Sequence, residues 1–281
     1  MQTLAASKQA RPAGLEGVCW ALRNHWPEYL IEAAALAVFM ISACAFGVLL
    51  EHPGSALHQA IDDPLARRAV MGAAMGSTLV GIVYSPWGRR SGAHMNPAVT
   101  LTFLTLGKIE RWDAALYVAA QFLGGIAGVY AAGVLMGAPL ANSAVNYVAT
   151  IPGSGGAGVA FLAEAIISFL MMSAILFVSN SRRLSRFTGL CAGLLLAAFI
   201  TVEAPLSGVS LNPARSVGSA YFAGEWPAIW IYFIAPPVAM LLAGQLYRLR
   251  HGVHGVLCAK LHHHGGTRCI FRCNYGAFDV R

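Results

Sequence analysis

The residues best suited to chemistry are two copies of one tripeptide, Asn96-Pro97-Ala98 and Asn212-Pro213-Ala214. Proline fits the first turn of a helix, where its missing N–H breaks no bond, so each copy reads as a helix start with Asn in the capping position. An Asn amide whose oxygen is engaged by the backbone can turn two N–H donors into a cavity. Such donors hold the oxygen of a neutral solute. They do not titrate, and no paired acids, metal cluster or activated nucleophile stands beside them. The chemistry on offer is reversible solvation, not bond breaking.

These tripeptides need elements that bring them together. Ser91–Thr100 aligns with Ser207–Ser216 at an offset of 116, with five identities in ten. Of the 281 residues, 57% are hydrophobic and 11% charged, against about a quarter charged in a soluble domain. The apolar residues gather into runs of about 20, the length that crosses a bilayer core. That excludes a soluble enzyme, a nucleic-acid binder and a disordered scaffold, and makes the lipid bilayer the chain's surroundings. Six spans are predicted, at 29–50, 68–86, 112–137, 158–179, 187–205 and 227–248. Two shorter stretches, 96–106 and 212–222, each open with Asn-Pro-Ala and reach only about 15 Å as helices, half a crossing. Three spans per half is an odd number, so the second half, 158–248, must run opposite to the first, 29–137. This inverted repeat brings two helix N-termini face to face at the midplane, where their dipoles attract a solute oxygen and repel cations. The backbone just before them, Gly92-Ala93-His94 and Gly208-Val209-Ser210, is non-helical at membrane depth and must line a water-filled path. Arg215 is an ionised residue at the same depth, which marks a functional position.

The net charge of +7 follows membrane topology and not nucleic acid. Every basic residue except Arg67, Arg68 and Arg215 lies in the leader, the second and fourth loops, or the tail, among them Lys8, Arg11, Arg182, Arg183 and Arg186. Basic loops stay cytoplasmic, so both termini are expected inside, with the chain a multi-pass protein of the plasma (cell inner) membrane. Three regions follow: a leader, 1–28; a channel-like domain, 29–248; and a tail, 249–281. The tail holds His251, His254, Cys258, His262, His263, His264, Cys269 and Cys273. Cys258/His262 and Cys269/Cys273 are each four apart, but the spacings match no standard zinc pattern, so no metal and no cofactor is expected. The glycine pairs 72/76, 124/128 and 189/193 have the spacing of close helix packing.

SGAHMNPAVT and SGVSLNPARSVGSA resemble the two signature loops of the aquaporin (major intrinsic protein) family. The resemblance covers about residues 29–248 and implies an all-α membrane fold, six helices plus two re-entrant half-helices, with one pore per subunit and a homotetramer. It also implies that Asn96 and Asn212 donate to single-file water, and that Glu32 and Glu164 support the re-entrant loops. His94 is implied to be structural or pore-lining, and Gln121 reads as an interhelical hydrogen bond. Glu203 reads as a solvated carboxylate of the outer vestibule.

The constriction residues are carried over by position. Counting back from Asn212 gives Ile200 and Val209, beside Arg215. Gly193 is 19 residues before Asn212 and Gly76 is 20 before Asn96, so one residue is inserted in the first half, within 85–90 near Trp87. Allowing for it places Met75, not Gly76, in the ring. Met75, Ile200, Val209 and Arg215 match neither the histidine-bearing ring of strict water channels nor the two-aromatic ring of glycerol facilitators. Ser216, Ala220 and the pair Tyr232-Phe233 resemble the water-type branch. Water is therefore the expected solute, with glycerol, hydrogen peroxide or ammonia as the alternative. A gradient-coupled transporter is the rival from another class, and would need a titratable group at the midplane.

Overall fold

The computed structural model describes residues 14–263 and 266–275; Lys8, Arg11 and His264 lie outside them. The described residues form eleven α-helices and no strand. In chain order these are α1 (Gly14–Glu51), α2 (Ala56–Ala60), α3 (Pro64–Tyr84), α4 (Pro86–Ser91), α5 (Pro97–Thr105) and α6 (Arg111–Met136), then α7 (Ala138–Ala141), α8 (Gly156–Ser179), α9 (Thr188–Ser207), α10 (Pro213–Ala223) and α11 (Ile229–His251). The six long helices are the six expected spans, and α5 and α10 are the two half-helices.

Five of the six long helices are apolar enough to cross a membrane by composition alone. The sixth, α3, opens with Arg67 and Arg68, which lower its mean hydropathy. The fold accounts for both cations. Arg67 pairs with Glu51 at 3.4 Å and donates to the Ile61 carbonyl, while Arg68 donates to the Thr201 carbonyl at 3.1 Å. Large apolar side chains such as Leu123, Val134, Leu135 and Val202 stand exposed on the outside, where lipid replaces water.

Packing follows the repeat. In each half the first and last long helices pair, α1 with α6 and α8 with α11, while α3 and α9 meet across the pseudo-twofold axis. Each half-helix lies against the last helix of the other half, α5 on α11 and α10 on α6. The glycine pairs make this possible. A Cβ on Gly124 would lie 2.2 Å from the Ala33 carbonyl oxygen, and one on Gly128 2.6 Å from that of Ala37, so α6 touches the backbone of α1. Gly76 faces the Gly193 carbonyl across the α3–α9 contact in the same way, at 2.5 Å.

Two local features differ from the sequence expectations. Helix α1 begins at Gly14, well ahead of the predicted span start at 29; the helix runs through Pro27, and Glu28 is buried with Arg90 at 3.0 Å. The inserted segment is also helical, where the sequence reading placed no helix of its own. It is the short helix α4, capped by Ser85, whose Oγ accepts from the Gly88 N–H at 2.9 Å.

Candidate functional site

Each half-helix starts as its sequence dictates. Pro97 and Pro213 occupy the first turn, and the Asn oxygens cap: Asn96 Oδ1 accepts from Ala98 N at 2.8 Å, and Asn212 Oδ1 from Ala214 N at 3.0 Å and Arg215 N at 3.3 Å. The amide nitrogens cross over. Asn96 Nδ2 donates to the Leu211 carbonyl and Asn212 Nδ2 to the Met95 carbonyl, both at 2.7 Å. One of each amide's two N–H groups is therefore spent tying the half-helices together, and one is left for the cavity. The expectation of two free donors per Asn is corrected: the residue before each cap presents its carbonyl within reach, and a buried carbonyl needs a donor.

That carbonyl is presented because the loop backbone is unusual. Gly92, Ala93 and Met95 have positive φ (98°, 55° and 49°), as do Gly208, Val209 and Leu211 (81°, 50° and 58°). Side chains on such backbone are strained, so something must hold it. Glu32 and Glu164 do so in matching ways. Glu32 accepts from Ser91 Oγ, His94 N, Met95 N and Gln121 Nε2, at 2.8, 3.1, 2.6 and 2.9 Å. Glu164 accepts from Ser207 Oγ, Ser210 N and Leu211 N, at 2.8, 2.5 and 2.9 Å. Tyr117 Oη and Tyr232 Oη close the two motifs on the Ser91 and Ser207 carbonyls, both at 2.7 Å.

Two cavities flank the crossed amides. The inner one, about 90 Å³, is lined by Asn96, Asn212, His94, Ser210 and Arg215 among mostly apolar neighbours. The second, about 230 Å³, lies toward the face opposite the tail and gathers Met75, Ile200, Val209 and Arg215 with Glu51 and Arg68. Phe39, Leu196, Ser210 and Arg215 line both and so stand at the passage between them. Arg215 Nη1 is buried with no hydrogen-bond partner among the described residues. Phe39 escaped the sequence reading, because an aromatic in an apolar span carries no mark of which way it faces.

Ser216, the residue after Arg215, has Ser210 Oγ at 2.6 Å and Thr150 Oγ1 at 2.8 Å. Glu203 departs from expectation: it is buried, and neither carboxyl oxygen carries a hydrogen bond among the described residues, so it is not a solvated vestibule carboxylate. It is absent from the lining of both cavities.

His94 is held on all sides. Its Nδ1 meets Thr100 Oγ1 at 3.1 Å and its Nε2 the Ala259 carbonyl at 2.7 Å. A carbonyl can only accept, which assigns the proton to Nε2. The ring stacks between Phe103 and Phe271, at 5.2 and 5.4 Å between centroids. Ala259 and Phe271 belong to the tail, which folds back over the mouth on the chain-end face. Leu261 N donates to the Gly92 carbonyl at 3.1 Å, and the Leu261 side chain lines the inner cavity.

The profile of the Major intrinsic protein family matches residues 20–247. The chain belongs to the major intrinsic protein family. It is thus a membrane-embedded, multi-pass member of a family of channels, which includes aquaporins and glycerol facilitators, and it is not an enzyme. It is 39% identical over 187 residues to "Glycerol uptake facilitator protein-like 6" of Lactiplantibacillus plantarum, covering 64% of this chain and 83% of that one. It is 34% identical over 173 residues to "Probable aquaporin NIP4-2" of Arabidopsis thaliana, covering 61% and 59%. The match to the plant relative thus spans about three fifths of that protein's length. The fold resembles that of the aquaglyceroporin from Plasmodium falciparum, with a TM-score of 0.65 at 21% identity, over 79% of this chain and 95% of that one.

Proposed function

We propose that this major intrinsic protein is a passive water channel. The observation that carries the reading is the line of donors through the two cavities: one free N–H on each crossed Asn amide, then the unpartnered Arg215 Nη1. Water entering from the Arg215 side exchanges hydrogen bonds with that cation, passes Phe39 and Leu196, and is handed to the amides. The opposed starts of α5 and α10 place partial positive charge at the centre, which disfavours hydronium and other cations. Met75, Ile200 and Val209 act with Arg215 as the selectivity ring. Glu32 and Glu164 act as loop supports rather than proton carriers, since each carboxylate is committed to backbone and side-chain donors.

The protein works as a homotetramer in the plasma membrane with both ends cytoplasmic. Residues 29–248 form the conducting domain, which places the tail face inside the cell. Stopped-flow light scattering of proteoliposomes tests this: shrinkage under sucrose should be faster than in empty liposomes, with no re-swelling in glycerol beyond theirs. A second reading is a channel for small neutral solutes such as glycerol, hydrogen peroxide or ammonia. It is favoured by the aliphatic ring and by the name of the Lactiplantibacillus relative. Fast glycerol re-swelling would decide for it.

A further inference from the structure

Residues 256–275 contain no α-helix and no strand among those described, yet they are packed like a core: Cys258, Ala259, Lys260, Leu261, Ile270 and Phe271 are all buried. An irregular segment this short buries too little apolar surface to hold its own shape, and natural proteins stiffen such segments with a metal or a disulfide. The side chains that converge inside the turn are three thiols and an imidazole. Ligand atoms of Cys258, His263, Cys269 and Cys273 all lie within 4.8 Å of one another. The two nearest pairs are Cys258 Sγ to Cys269 Sγ at 3.5 Å and Cys273 Sγ to His263 Nε2 at 3.0 Å.

We propose that these four residues bind a thiophilic divalent cation, Zn²⁺ by its chemistry, and that the metal holds the tail as a plug in the mouth of the pore. A tetrahedral Zn²⁺ with Zn–S bonds of about 2.3 Å has ligand-to-ligand edges of about 3.8 Å, close to the separations here. The cysteines are thiols, and three of them cannot all be paired in disulfides. The surroundings have the features of an outer shell. The His263 ring stacks flat on Tyr275 at 4.3 Å, and Tyr275 N–H points at Cys273 Sγ at 3.5 Å. Three thiolates and Zn²⁺ leave one negative charge, and Lys108 and Lys260 both lie within electrostatic reach of the cysteines. The chain spacing, with four residues between Cys258 and His263, five to Cys269 and three to Cys273, follows no common zinc pattern; the fold selects His263 where the sequence spacing had singled out His262.

The plug itself rests on the channel reading. The metal loop is pinned to the mouth by Leu261 N–H on the Gly92 carbonyl, His94 on the Ala259 carbonyl, Arg272 on Glu110 and Tyr275 Oη on the Ser179 carbonyl. Leu261 projects into the same cavity as Asn96 and Asn212.

The test uses the full-length, untagged protein, reduced and then loaded. About one Zn²⁺ per chain should survive desalting, and Co²⁺ in its place should give an intense thiolate-to-cobalt charge-transfer band with tetrahedral visible bands. The Cys258→Ser/Cys273→Ser double variant should lose both signals and His262→Ala should keep them. A reduced wild-type protein with no charge-transfer band on Co²⁺ addition overturns the site, whatever the variants do. In proteoliposomes, a membrane-permeant zinc chelator should raise osmotic shrinkage roughly fivefold or more, and Cys269→Ser should be fast without it. Equal rates with and without chelator, both above empty liposomes, overturn the plug and leave the channel standing. Rates no faster than empty liposomes in every state overturn the channel reading and the plug with it, while the cobalt spectrum judges the metal site alone.

Discussion

Replacing Glu164 with Gln removes one acceptor oxygen from a group that receives three hydrogen bonds. Oε1 takes Ser207 Oγ and Ser210 N, and Oε2 takes Leu211 N. A Gln oxygen kept at the first position turns its NH₂ toward the Leu211 N–H, donor against donor. A buried donor left unpaired costs about 1–3 kcal/mol, and the two remaining bonds lose charge assistance worth about 1 kcal/mol in all. The backbone it releases has positive φ at Val209 and Leu211 and holds the Met95–Asn212 crossing. A loss of about 2–4 kcal/mol lowers the unfolding midpoint by roughly 3–7 °C for a chain of this size. Intrinsic tryptophan fluorescence of the detergent-solubilised protein reads that shift, and proteoliposome shrinkage should slow with it because Asn212 and Arg215 lose their setting. Glu32→Gln should behave alike. An unchanged midpoint, together with loss of a pH-driven uptake in either variant, would refute the supporting role and make these carboxylates proton carriers.

Gly124→Ala should lower the midpoint by several degrees, at about 1–3 kcal/mol, since its Cβ meets the backbone of Ala33; Gly133→Ala, which meets nothing within 4 Å, should not, and thermal unfolding compares them. Tyr117→Phe and Tyr232→Phe each strip one donor from a loop carbonyl and should each cost about 0.5–1.5 kcal/mol, in chemical or thermal unfolding. Phe39→Ala opens the passage between the two cavities and should raise glycerol re-swelling roughly 5–10-fold in proteoliposomes, an effect of about 1.0–1.4 kcal/mol on the barrier.

The long helices and half-helices were legible because each is written locally: apolar runs of membrane length, and Asn-Pro at a helix start. Asn96 and Asn212 declared their capping in the same way. Counting alone set Met75 apart from Gly76; in the structure Gly76 packs against Gly193 and Met75 lines the second cavity. What was not legible depends on residues far apart in the chain. The Asn96–Leu211 bond spans 115 positions and has no local signature. Phe39 differs from lipid-facing neighbours only in direction, which a uniformly apolar helix does not encode. Glu203 lies near a helix end, where sequence suggests water, but neighbouring helices cover it. The tail showed its cysteines and histidines, yet spacing along an irregular segment says little about distances across it.

The crossed amides also bear on how the protein is made. Among the described residues, the Met95 and Leu211 carbonyls are satisfied by the Asn of the opposite half. When the ribosome has delivered the first three spans, the first re-entrant loop has no partner for Asn96 Nδ2 or for the Met95 carbonyl. That half is therefore an unfinished object, held in waiting until the second half arrives about a hundred residues later. The polar centre of each half is thus completed only when both are in place.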